Sequence, residues 1–191
     1  MRKIQSFLVA ALVAGCASQQ VRAPIDADVS YEPWLTAEAI ESVRFPTGAP
    51  LGNGLEFCIA RVIRNKSVTL QDSSNSWTGP ASGKYYHVEK SQESGGGDVL
   101  LHSGPSGTVA QGSVQFQSSA FVERSVRFTL TITEDQYEFT DLEQALLNSG
   151  AAANDGYNKI GAWSSAEPGL AVTSLKQVTT KLDRCLSQSN K

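Results

Sequence analysis

The clearest pattern along the chain lies between Val126 and Thr133, where apolar and polar residues alternate strictly. Such alternation predicts an antiparallel strand with one buried and one solvated face. Thr108–Gln117 has the same character, and small or apolar residues share one of its faces: Ala110, Gly112, Val114 and Phe116. A turn then leads into a further strand at Tyr137–Phe139. We expect these segments to lie in an antiparallel sheet.

The end of the chain has helical periodicity. Ser174 and Gln177 have the spacing of a capping box, and the residues after them form one apolar stripe: Leu175, Val178, Leu182, Cys185 and Leu186. This stripe predicts an amphipathic C-terminal helix. Thr140 and Glu143 repeat the capping-box spacing, which predicts a short helix over Asp141–Asn148. We expect the residues from 151 to 169 to be irregular.

The first half of the chain is less regular. Thr36 is a candidate N-cap for a short helix through Val43, and Leu55–Ile63 is apolar on both faces, as in a buried strand. Ser67–Trp77 has the pattern of a poor helix. Lys84–Lys90 and Val99–His102 flank a glycine-rich turn, and this arrangement predicts a hairpin.

These segments predict an α+β fold with a single antiparallel sheet of about five or six strands. The C-terminal helix packs on one face of that sheet. Since no repeat or compositional break divides the chain, we expect one domain over residues 31–191.

The first fifteen residues have a different composition. Arg2 and Lys3 precede a short apolar run that ends at Gly15, which is typical of an export signal. The run is too short to span a bilayer as a helix, which needs about 20 apolar residues. Val13-Ala14-Gly15-Cys16 resembles the lipobox of bacterial lipoproteins. That resemblance implies removal of residues 1–15 and acylation of Cys16; the alternative is an ordinary signal peptide cut near Ala17.

The residue after Cys16 is Ala17 and not the Asp that retains many Gram-negative lipoproteins in the inner membrane. For a Gram-negative source, the resemblance implies an outer-membrane anchor with the domain facing the periplasm. Residues 16–30 are polar and aperiodic, and we expect them to form a flexible tether. Removing Arg2 and Lys3 from 16 basic residues leaves 14 against 19 acidic ones, so the net charge moves from -3 to -5. Without basic runs, nucleic acid is not expected as a partner.

Cys58 and Cys185 remain once Cys16 carries lipid. An even pair in an oxidising compartment predicts a disulfide. Cys185 lies on the apolar stripe of the last helix, and Cys58 neighbours small residues that permit a helix to approach closely. Two buried free thiols are the alternative, and a metal site is less favoured because no ligand lies at a suitable spacing.

The region from 107 to 139 also loosely resembles uncharacterised bacterial envelope domains with a TATA-binding-protein-like fold. The resemblance rests on Gly107-Thr108-Val109, Arg127-Phe128-Thr129-Leu130-Thr131-Ile132-Thr133 and Tyr137-Glu138-Phe139. It would cover Leu55–Ser187. It implies a fold without an activity.

Candidate chemistry is sparse. Only His87 and His102 offer a near-neutral base, and neither has a neighbour at metal-ligand spacing or lies in a nucleophile motif. The run Gly95–Gly97 lacks the ending of a phosphate loop, so we expect no cofactor. Aromatic residues in turn-rich segments are better candidates for partner binding, foremost Trp34, Tyr86 and Trp163.

These observations favour a non-catalytic binding or structural domain whose partner is another envelope protein or peptidoglycan. Two alternatives stay open. One is an envelope hydrolase that uses His102 or His87, and the other is a small-ligand carrier with a pocket on the apolar face of the sheet.

Overall fold

The computed structural model describes residues 23–104 and 106–189. Seven of the described strands form one sheet: β1 (Asp28–Trp34), β2 (Ala37–Pro46), β7 (Leu100–Gly104), β8 (Gly107–Ser119), β9 (Val122–Ile132), β10 (Gln136–Leu146) and β11 (Asn158–Lys159). Their order is β1-β2-β10-β9-β8-β7, with β11 beside β10. All their pairings are antiparallel.

Two helices cover one face of the sheet. α1 spans Leu55–Val62 and α2 spans Pro168–Ser189, while a 3-10 turn at Ser164–Ala166 precedes α2. The α+β class, the antiparallel sheet and the C-terminal helix packed against it are confirmed. None of the helices in the described ranges is both long and apolar enough to cross a membrane.

The core lies between the helices and the sheet. The alternating residues of β9 are buried there as expected, and so is the apolar stripe of α2. Helix α2 begins earlier than predicted, at Pro168, because Ser174 is not its cap. The Ser174 hydroxyl donates to the carbonyl of Leu170, four residues back inside the helix.

Cys58 and Cys185 form the predicted disulfide, with Cα atoms 5.7 Å apart. The bond joins α1 to α2, and not a strand to a helix as expected. Leu55–Val62 is helical, and the buried residues Cys58, Ile59 and Ile63 recur at helical spacing along it and at its C-cap. Phe57 is exposed instead of filling a second buried face.

The predicted helix after Thr36 is strand β2. Its hydrogen-bonding partners on both sides, β1 and β10, outweigh a favourable N-cap sequence. The predicted helix over Asp141–Asn148 is also wrong, because β10 continues through Leu146. A one-residue bulge interrupts its ladder with β9 between Thr140 and Glu143, and Asp141 in the bulge has a φ of +50°.

The segment between α1 and β7 forms two small sheets. β3 (Val68–Asp72) pairs with β6 (Lys90–Ser94), and β4 (Trp77–Thr78) pairs with β5 (Tyr85–Tyr86). The helix expected at Ser67–Trp77 is therefore replaced by strands. The predicted hairpin between Lys84–Lys90 and Val99–His102 is wrong, since β6 and β7 bond to different sheets.

The stretch expected to be a tether through Ser30 is structured over its described part. The amide of Ala23 donates to the carbonyl of Ala162 at 2.9 Å, and β1 begins at Asp28. Ile25, Ala27 and Val29 pack against the core. Residues 23–30 therefore belong to the domain.

Candidate functional site

Trp34 and Trp163, two of the three predicted binding residues, contact each other. Their ring centroids are 5.7 Å apart and the ring planes differ by 7°, so the indoles are stacked. Trp34 ends β1, and Trp163 directly precedes the 3-10 turn. A methyl group at Gly161 would overlap the Trp163 ring, so this indole lies flat against the backbone. The stack is thus fixed to the edge of the sheet.

A groove of about 440 Å³ lies beside this tryptophan pair. Gln144 lines it and is 8 % exposed. Its Nε2 donates to the carbonyl of Ala166 at 2.8 Å, while its Oε1 has no hydrogen-bond partner among the described residues. Arg124 and Glu167 form an ion pair at 3.0 Å next to it. The groove therefore has the stacked indoles on one side and the Arg124–Glu167 ion pair beside it.

The chain enters the domain beside Trp163. Ala23, which bonds to Ala162, and Pro24 line a depression of about 570 Å³ together with the first turn of α2. Leu170 in that turn is exposed. Leu35, in the tight turn after Trp34, is 85 % exposed and has a φ of +52°. Leu170 thus lies beside the entry point, and Leu35 is exposed next to the tryptophan pair.

Tyr86, the third predicted binding residue, lies in a separate cluster on the β4–β5 hairpin. It stacks on Trp77 with ring centroids 4.5 Å apart, and the Lys84 ammonium lies 5.7 Å from the Tyr86 ring centroid. Tyr85 is exposed beside them. The structure therefore separates the predicted residues into two aromatic surfaces.

Asp72 holds the base of this hairpin. Its Oδ1 accepts hydrogen bonds from the amide and hydroxyl of Ser74, and its Oδ2 accepts one from the amide of Asn154. The bond from the Ser74 hydroxyl, aided by the Asn154 amide, holds the pKa of Asp72 below its usual value. The carboxylate therefore fixes the hairpin to the loop that lines the tryptophan groove.

Neither histidine lies in a catalytic arrangement. His87 Nδ1 is 3.5 Å from the Ser76 hydroxyl on the exposed hairpin. That hydroxyl is already engaged with the backbone, since it donates to the Val88 carbonyl and accepts from the Val88 amide. His102 is exposed on the edge strand β7. Within the described ranges, no three His, Cys, Asp or Glu side chains form a group able to hold a metal.

The solvated face of the sheet carries a depression of about 670 Å³. Two ion pairs lie in it, Arg127 with Glu143 and Lys159 with Glu32 at 2.6 Å, and Glu41 and Asp141 line it as well. The Arg127 guanidinium also lies 4.6 Å from the centroid of the Tyr157 ring. Polar and charged side chains line much of this depression, whereas α1 and α2 cover the apolar face.

The sequence patterns did not predict the contact between Trp34 and Trp163 or the position of Gln144 in the groove beside them. These residues are far apart in sequence, and only the fold brings them together. Trp77 and Tyr85 are visible as aromatic residues in turn-rich segments, yet their joint surface depends on the β4–β5 pairing. Cys16 lies outside the described residues.

Comparisons of the chain with protein families, with curated proteins and with solved structures give no match. The resemblance of Leu55–Ser187 to a TATA-binding-protein-like fold stays a prediction.

Proposed function

We propose that this protein is an envelope lipoprotein, anchored through Cys16, whose domain binds another envelope component without catalysing a reaction. In a Gram-negative cell, the anchor is in the outer membrane and the domain faces the periplasm. The export signal and the Val-Ala-Gly-Cys ending support the anchor. Cells fed a palmitate analogue should label the wild type and not Cys16→Ser; equal labelling of both would remove the anchor.

The observation that carries the binding function is the concentration of exposed apolar side chains on one segment. Six of the ten large apolar side chains exposed in the described residues lie between Trp77 and Leu101: Trp77, Tyr85, Tyr86, Val88, Leu100 and Leu101. Trp77 and Tyr86 contact each other within this segment, and contiguous exposed apolar residues mark interaction sites on proteins. Aromatic residues are enriched among the residues that dominate binding energy.

The aromatic hairpin suits binding better than catalysis. The stack of Trp77 on Tyr86 presents a preformed apolar surface with the Lys84 ammonium beside it. Stiff aromatic side chains lose little conformational entropy on binding. The partner is an envelope protein or peptidoglycan, and confinement of both to the envelope raises their effective concentration.

A photo-crosslinking residue at Tyr85 tests this proposal in cells. The matched control is the same residue at Phe57, because both side chains are about 60 % exposed but lie on different parts of the domain. We expect Tyr85 to yield a discrete adduct that Phe57 does not. A protein partner gives an adduct of fixed mass, whereas a peptidoglycan adduct collapses on muramidase treatment. Equal adducts at both positions would contradict the proposal.

The hydrolase alternative gives the opposite result. Purified protein would then degrade an envelope substrate, and His87→Ala or His102→Ala would abolish the activity. Such a loss, together with empty crosslinks from Tyr85, would replace the binding function with an enzymatic one.

A further inference from the structure

We infer that the end of the domain formed by Trp34, Leu35, Trp163 and Leu170 docks on the phospholipid bilayer. This end is called the entry face below. The inference rests on the proposed function in one respect, the anchoring of Cys16.

The chain enters the domain beside the entry face. Ala23 bonds to Ala162, the neighbour of Trp163, and lines one depression with Leu170. Trp163 stacks on Trp34, and Leu35 follows Trp34 directly. Trp163 and Leu170 therefore lie next to the point at which the chain enters the domain, and the indole stack extends this surface to Trp34 and Leu35.

The link between the proposed anchor and the domain is short. Residues 16–22 lie between the anchor and Ala23, and about seven residues span at most roughly 25 Å at full extension. The predicted tether through Ser30 would reach about twice as far. α2, with 22 residues, is about 33 Å long, longer than this link. The anchor therefore keeps the entry face near the bilayer at all times.

The side chains of the entry face suit the interface between a bilayer and water. Tryptophan prefers the headgroup region of a bilayer, where its ring is in an apolar setting and its N–H stays hydrated. Leu35 is 85 % exposed in a left-handed turn, where it contributes little to the core. Two ion pairs lie next to the stack, Lys159 with Glu32 and Arg124 with Glu167. Paired charges cost less to bring to a membrane surface than isolated ones.

The protein's own fluorescence tests the inference, because the chain has 3 tryptophans. In Trp77→Phe the emission comes from Trp34 and Trp163, both on the entry face. In a Trp34→Phe/Trp163→Phe variant it comes from Trp77, on the aromatic hairpin. Each variant, beginning at Cys16 and with its disulfide intact, is coupled through the Cys16 thiol to a maleimide lipid. The vesicles contain phosphatidylethanolamine and phosphatidylglycerol, with or without brominated phosphatidylcholine.

We expect brominated lipid to quench Trp77→Phe and to leave the Trp77 reporter unchanged. Adding Leu35→Asn to Trp77→Phe should reduce the quenching without loss of the fold, since Asn tolerates a positive φ. Equal quenching of both reporters, or of neither, would overturn the inference. Protection of the Trp34–Trp163 pair from a soluble quencher by peptidoglycan fragments, without quenching by lipid, would assign the entry face to a glycan and overturn it as well.

The coupling is chemical, so this result does not depend on acylation in cells. If Cys16→Ser labels with palmitate like the wild type, the anchor is wrong while the vesicle result still stands on its own. If labelling requires Cys16 and brominated lipid quenches neither reporter, docking alone is wrong.

Discussion

The hydroxyl of Tyr137 donates a hydrogen bond to Oδ1 of Asp183 at 2.7 Å, and this contact joins β10 to α2. The same oxygen accepts the amide of Gly48, just after β2, at 3.1 Å. One carboxylate oxygen therefore connects β10, the loop after β2 and the long helix. Tyr137 itself is fully buried.

Because of this contact, we expect the free energy of unfolding to fall as the pH becomes alkaline. Burial, and then the bond to Asp183, raise the pKa of Tyr137 well above its ordinary value. The folded state thus keeps a proton that the unfolded chain releases above about pH 10. The free energy of unfolding should fall there by about 1.4 kcal/mol per pH unit for this group.

Denaturant unfolding between pH 8 and pH 11 measures the effect. The free energy of unfolding of Tyr137→Phe should be about 1 kcal/mol lower at neutral pH, which is the contribution of a typical hydrogen bond. Above about pH 10 it should fall less steeply with pH than that of the wild type. Burial also raises the pKa of Tyr157, so Tyr157→Phe is the matched control that keeps the Tyr137 contribution. A wild-type slope in Tyr137→Phe would contradict the assignment.

The disulfide should dominate global stability. It closes a loop with a sequence separation of 127 residues, and the chain-entropy cost of such a loop in the unfolded state is about 4–5 kcal/mol. Cys58→Ser/Cys185→Ser should lower the free energy of unfolding by an amount of this order. Wild type measured with and without reductant supplies the comparison. A change below about 1 kcal/mol would show that the bond contributes little.

Replacing two glycines by alanine should change the free energy of unfolding in opposite directions. A methyl group at Gly112 in β8 would overlap Ile63 Cγ2 and lie 3.1 Å from Phe128 Cζ in the core. Gly112→Ala should therefore destabilise the protein by about 1–3 kcal/mol. Gly169 lies in the first turn of α2 with only the Pro24 carbonyl at 4.0 Å, and Gly169→Ala should stabilise by up to about 1 kcal/mol. Calorimetric melting of both variants, compared with wild type, gives both signs.

The stacked indoles of Trp34 and Trp163 should produce an exciton couplet in circular dichroism. Trp34→Phe should remove the couplet, and Gly161→Ala should weaken it, because the new methyl displaces the Trp163 ring. The stack should contribute about 0.5–1.5 kcal/mol beyond its burial. Trp77→Phe should retain the couplet; its loss in that variant would place the signal on the hairpin instead.

Elements with one buried and one solvated side could be predicted from the sequence. β8, β9 and α2 keep a single periodicity along most of their length, so the pattern of Val126, Phe128 and Leu130 reports the fold directly. β10 does not. Tyr137 and Phe139 face the core, and after the bulge the next core residue is Leu142. The wrong helix prediction there rested on the capping-box spacing of Thr140 and Glu143, which are the strand residues on either side of the bulge.

The prediction for β2 was wrong because its pattern of buried residues also lacks the alternation of a strand. Its buried residues come in adjacent pairs, such as Ala39 with Ile40 and Ser42 with Val43. The loop around Ile160 bonds to this strand in addition to the helices that pack below it. Burial on both sides removes the alternation from which a strand is recognised.

The candidate site could be predicted in part. Exposed aromatic residues in turn-rich segments are visible in the sequence, and Trp34, Tyr86 and Trp163 do lie in exposed or half-buried clusters. Which of them share a surface depends on contacts between distant strands. The periodicity of a segment carries no information on such contacts.

The long span of the disulfide also sets an order of events during synthesis and, in the proposed lipoprotein, during export. Cys58 is synthesised 127 residues before its partner, so over that interval its thiol lacks its native partner. Cys16, the third cysteine of the sequence, would compete for it in the unprocessed chain. Acylation at Cys16 would consume that competing thiol and leave a single intramolecular pairing. In this sequence, lipid attachment would therefore also protect the fidelity of oxidative folding.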